Sequence, residues 1–154
     1  MTLLNTGYEV LLGALIANVG AQVAKTFVNA IKLRKWDSSM LLSTGGMPSS
    51  HSATVTALAT ALGIIDGWHS TTFAIGLWLA LIVMYDAQGV RLAASVQATI
   101  LNQILKELFS LHPTLKGKKL KELLGHTPMQ VVMGALLGIG IAFAFHHYLE
   151  IKGL

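Results

Sequence analysis

Gly67-Trp-His-Ser-Thr-Thr-Phe-Ala-Ile-Gly-Leu-Trp-Leu-Ala-Leu-Ile-Val-Met-Tyr85 contains no Lys, Arg, Asp or Glu. A helix crossing a bilayer needs about 20 mostly apolar residues, and this stretch supplies them. Two more charge-free stretches follow the same pattern, one between Asp37 and Asp66 and one from Leu123 to Leu149. A fourth apolar run, Val10 to Ile31, is interrupted only by Lys25. The pattern predicts an all-α, polytopic transmembrane bundle of about four spans, near 8–31, 49–66, 70–90 and 127–149. The second span is short and rich in Ala and Thr. Residues Arg91–Leu111 mix Gln97, Asn102, Gln103, Lys106 and Glu107 with Leu and Ile. They read as a partly polar helix continuing from the third span, lining the protein interior or lying at the membrane interface.

The whole chain agrees with this reading. It has 154 residues, 53% hydrophobic and 12% charged, where a soluble domain carries about 25% charge. Its mean hydropathy is +0.62. Disorder, a coiled coil and a typical nucleic-acid binder are excluded, and a soluble helix bundle is the competing reading. Cysteine is absent, which removes disulfides, zinc fingers and thiol catalysis. The N-terminus has neither the basic region nor the small-residue cleavage site of a signal peptide. The reading is of a single integral membrane domain over 1–154.

The net charge of +4 reflects where the basic residues sit. Three of the eleven lie in Lys32–Lys35 and five in Lys106–Lys121. Basic loops stay cytoplasmic, and these two are separated by two spans, so they share a side. The hairpin near Asp66–Ser70 falls opposite. The expected topology in the cell membrane is N-out and C-out, with both basic loops inside.

Ionisable groups in or beside spans are functional candidates. Ser43-Thr-Gly-Gly-Met-Pro-Ser-Ser-His-Ser52 leads into the second span. Its Gly45 and Gly46, with the hydroxyls of Ser49 and Ser50 and the free N–H groups of a helix start, suit an anion. His51 beside them can exchange a proton near neutral pH. A Gly-Pro turn with a Ser N-cap is the plain alternative. Gly125-His-Thr-Pro-Met-Gln-Val-Val-Met-Gly134 repeats the layout, with His126 entering the last span on the same side. Tyr85-Asp-Ala-Gln-Gly-Val-Arg91 ends the third span there with Asp86 and Arg91, which alternatively form a structural ion pair. Lys25 and Lys32 are two helical turns apart, on one face. Lys25, deep in its span, calls for a buried partner or a bound anion. His146 and His147 lie at the outer end of the last span, and adjacent helix positions point apart, so no metal site is read there.

Gly-Met-Pro-Ser-Ser-His and Gly-His-Thr-Pro-x-x-Val-x-x-Gly together resemble the type 2 phosphatidic acid phosphatase superfamily. More closely, they resemble its divergent branch of small membrane proteins, related to acid phosphatases and vanadium haloperoxidases. The similarity runs from about Lys25 to Gly140. It implies a metal-independent, cofactor-free phosphatase that acts on a lipid phosphate or prenyl phosphate through a phosphohistidine. It implies His126 as nucleophile, His51 as acid and base, and a phosphate site of Lys25, Lys32, Arg34, Gly45, Gly46, Ser49, Ser50 and Arg91. The sequence departs from the family pattern at several points. Lys32 holds the spacing of the first motif, but Arg34 is displaced and no Pro follows. Pro48-Ser49-Ser50-His51 has Ser where the family has Gly. Gln130 stands where an Asp follows the nucleophilic His, leaving Asp86 to supply the charge. Leu120 stands at the family's phosphate-binding Arg, with Lys119, Lys121 or Arg91 as replacements. The alternative is a non-catalytic membrane protein that binds or transports a phosphorylated lipid. The expected partners are substrate and membrane lipids, with no nucleic acid, and a homodimer is one assembly for so thin a scaffold.

Overall fold

The computed structural model describes residues 3–34, 45–88, 90–111 and 126–154. Every element among them is a helix: α1 (Gly7–Leu33), α2 (Ser50–Asp66), α3 (Thr71–Gln88), α4 (Val90–Leu111) and α5 (Pro128–Lys152). Three helices are long and apolar enough to cross a membrane, over Gly7–Ile31, Thr71–Gln88 and Pro128–Lys152. The fourth expected span is α2, only 17 residues long, or about 25 Å at 1.5 Å per residue.

α2 is the hub of the bundle, packed against α1, α3 and α5. Its composition explains the placement. Ser52, Ala53, Thr56, Ala57, Thr60, Ala61 and Gly63 are all buried, and small side chains let three neighbours close on one axis where no hydrophobic force drives them together. The central cluster consists of alanines, Ala17, Ala21, Ala53, Ala57 and Ala142, with Leu137 and Ile141 packed against it. Large apolar side chains point outward instead: Leu11 and Leu15 on α1, Ile75 and Trp78 on α3, Leu136 and Phe143 on α5. A water-soluble bundle reverses this arrangement, so the soluble reading is set aside.

α2 and α5 approach closely. A Cβ at Gly134 would collide with the Ser49 carbonyl oxygen, and one at Gly138 with the Ala53 carbonyl oxygen and Thr56 Oγ1. The GxxxG of the last span is therefore a contact surface. Thr56 Oγ1 reaches Ala135 O at 3.1 Å across the same seam. Asn18 Nδ2 donates to Thr54 Oγ1 (2.9 Å), tying α1 to α2.

The helix directions sort the ends. Two contacts close one end: Leu4 N–H donates to Leu154 O, and the Nδ1 of His146 lies 2.6 Å from Glu9 Oε1. Glu9 is 1% exposed and also accepts from Asn5 N–H (2.7 Å). The α2–α3 hairpin lies at this end as well, with Trp68 edge-on to Phe73 (ring centroids 5.1 Å apart). The opposite end gathers the C-termini of α1 and α3 and the N-termini of α2 and α5. The residues at issue lie there.

Candidate functional site

Two helix N-termini are locked together at this end. Ser49, the N-cap of α2, accepts from Ser52 N–H through its side chain, and its own N–H donates to Gln130 O at 3.0 Å. Thr127 caps α5 in a reciprocal box with Gln130, and Pro128 occupies the first turn, where its missing N–H costs nothing. His126 is fixed just outside that cap by its backbone N–H, which donates to Ala87 O at the end of α3 (3.2 Å). Two parallel helix starts concentrate partial positive charge and favour an anion.

The caps bring the two histidines together. His51 lies in the first turn of α2 and His126 precedes α5, and their ring centroids are 6.2 Å apart, edge to face. Residues remote in sequence thus share one end of the bundle, as the sequence pattern implied.

Geometry fixes the tautomer of His126. Gln130 Oε1 accepts from Thr127 N–H (3.2 Å). A backbone N–H can only donate, so the Gln130 atom facing it is oxygen. The same oxygen lies 3.0 Å from His126 Nδ1, so Nδ1 carries the proton. In the neutral ring the lone pair is then on Nε2, the atom a nucleophile would use. His126 is 4% exposed.

The cationic side comes from α1. Lys25 is 1% exposed, and its Nζ donates to Gln22 Oε1 at 2.8 Å. Its aliphatic stem lies against Gly46, where a Cβ would sit 3.1 Å from Lys25 Cγ. Gly46 has φ +97, a conformation that other residues rarely adopt, so both space and backbone call for glycine. The Met47–Pro48 bond that follows is cis. Ser49 and Ser50 are buried behind it.

Of the residues singled out from sequence, Lys25, Gly46, Ser49, Ser50, His51, His126 and Gln130 gather at this end. Gly45 precedes Gly46 on the same turn. Arg34 is the left-handed C-cap of α1 (φ 51) and is exposed. Asp86 is exposed on α3; His126 Nδ1 faces Gln130 Oε1, and Ala87, next to Asp86, accepts from the His126 backbone N–H. The side chains of Lys32 and Arg91 lie outside the described residues, as do Lys119, Leu120 and Lys121. Sequence reasoning missed Gln22. Its signal was a polar residue one turn before Lys25, on the same face.

The fold and site define a polytopic membrane protein with a small-residue core and paired histidines at two joined helix starts. The chain belongs to the Divergent PAP2 family, whose model matches residues 6–141. It is 43% identical over 148 residues to the uncharacterized membrane protein YuiD of Bacillus subtilis (strain 168), covering 90% of this chain and 94% of that protein. No solved structure matches it.

Proposed function

We propose that this protein is a membrane phosphatase that hydrolyses a lipid phosphate or prenyl phosphate through a phosphohistidine on His126. The observation that carries the reading is the histidine pair, with Nδ1 of His126 held by Gln130. In the proposed reaction Nε2 of His126 attacks phosphorus in line, the N–P bond forms and the P–O ester bond breaks. His51 protonates the departing oxygen. It then takes a proton from water as that water cleaves the N–P bond and frees phosphate. Lys25 and the helix-start N–H groups stabilise charge on the transferring group, the main work of phosphoryl transfer. One phosphoryl group can span the two rings, bonded to one and within about 2.6–3.2 Å of the other. A headgroup at this end leaves the lipid tails in hydrocarbon.

Gln22 is the proposed positioning residue for Lys25. Lys25→Met is expected to raise KM by about 10–100-fold, the value of a hydrogen bond to a charged group. Gln22→Leu should raise KM several-fold, and Gln22→Glu should not restore it, because a carboxylate beside Lys25 offsets the charge that binds phosphate. An unchanged KM in Lys25→Met, measured with purified protein in mixed micelles, removes Lys25 from phosphate binding.

One observation favours the second reading, a non-catalytic phospholipid binder: Gln130 orients His126 but brings no negative charge to stabilise its cationic form. Binding of a lipid phosphate by purified wild type without phosphate release selects that reading.

The proposed orientation puts the site at the cytoplasmic face. The chain lacks cysteine, so single reporters are clean. His69→Cys in the α2–α3 hairpin should react with an impermeant maleimide in intact cells, and Arg34→Cys only after permeabilisation. The reverse pattern places the site on the outer face.

A further inference from the structure

α4 stands at the margin of the bundle. Among the described residues it touches α3 and no other helix, and it is not one of the helices apolar enough to cross. Helices α3 and α4, of 18 and 22 residues, would reach about 60 Å laid end to end, twice the ~30 Å hydrocarbon core. A straight extension would carry α4 into water. Yet Val96, Ile100, Leu101, Ile104 and Leu108 are 41–54% exposed. At 100° per residue they fill an arc of about 140°, shared by Gln97 and, toward one edge, Glu107, with Thr99, Asn102 and Lys106 on the opposite side.

We infer that α4 lies on the bilayer surface at the site end, its largely apolar arc sunk among the acyl chains and Lys106 on its opposite side turned to the headgroups. Three observations select lipid over a second copy of this chain. The arc is broader than the narrow seam of a paired coiled coil. Gln97 lies within it, which an interfacial helix tolerates more readily than a dry seam. Lys106 opens the run of five basic residues ending at Lys121, the charge pattern that draws juxtamembrane segments to anionic lipid. α4 also follows directly from α3, whose Ile75, Leu79 and Ile82 already face lipid. This inference stands whether or not the histidine site is catalytic.

The test uses full-length protein with a single polarity-sensitive label in vesicles of phosphatidylcholine, with and without phosphatidylglycerol. Labels at Ile104→Cys and Leu101→Cys should be quenched by brominated lipid and shielded from aqueous iodide, and a label at Lys106→Cys should behave oppositely. The contrast should grow several-fold when anionic lipid is present. Equal iodide quenching at all three positions overturns the proposal. So does shielding at Ile104 that rises with protein-to-lipid ratio together with a 104–104 disulfide, which assigns the face to a second copy. If Ile104→Cys does not fold, Leu101→Cys gives the same reading.

Discussion

His126→Ala is expected to reduce phosphate release from a lipid phosphate to the level of protein-free micelles. The reasoning starts from what the substitution spares. His126 is tied to α3 through its backbone N–H, and Gln130 keeps its capping bond to Thr127. Removing the ring therefore leaves the helix start and the α3 contact in place, and the thermal midpoint should shift little. In the proposed mechanism the ring supplies the only bond to phosphorus, so no slower version of the same path survives. His51→Ala should fall less far, by about 10²–10⁴-fold, because it removes proton transfer alone. Wild-type protein quenched in alkali during turnover should hold acid-labile, base-stable phosphate, and His126→Ala should hold none. Full turnover by folded His126→Ala would refute the mechanism outright.

The second large effect concerns the α2–α5 seam. Gly134→Ala and Gly138→Ala each place a methyl group against a backbone carbonyl oxygen of α2. Backbone in a helix cannot step aside as a flexible side chain can, so the helices must separate. Overpacking of this kind costs about 1–3 kcal/mol, a large share of a small protein's stability. Both variants should lower the thermal midpoint in detergent and reduce phosphate release, because parting the helices draws His126 away from His51. Gly140→Ala provides the control. A Cβ there meets nothing within 4 Å, and replacing an interior helical glycine gains about 0.5–1 kcal/mol. Equal loss in all three variants would mean that the seam does not depend on close approach.

The spans were legible because crossing a bilayer imposes a length and a near-absence of charge, and both can be counted along a chain. The shared face of the two histidine motifs followed from the same count, since spans alternate direction. Rotation about a helix axis was not legible. α3 is apolar on every side, so its sequence does not say which side meets α2, and Asp86 turned out to be exposed. The role of Gln130 was partly readable from its place four residues after His126. The capping bond that fixes its amide, and with it the tautomer, depends on Thr127 adopting an extended backbone. The pairing of Glu9 with His146 joins residues near opposite ends of the chain, and only an acid at the very start of an apolar run hinted at it. The hub position of α2 was encoded in its Ala and Thr content, which first reads simply as a weak span.

That hub position has a consequence for how the protein is made. α2 leaves the ribosome after α1 alone, as the most hydroxyl-rich and shortest of the inserted helices, and the helix whose glycines close over it is synthesised last. Until then Ser52 and Thr56, which meet α5, face the insertion machinery or lipid, and the imidazole at its start waits without its counterpart. Chains arrested before α5 should therefore be held by membrane chaperones or degraded, which would make assembly of the site the closing event of biogenesis.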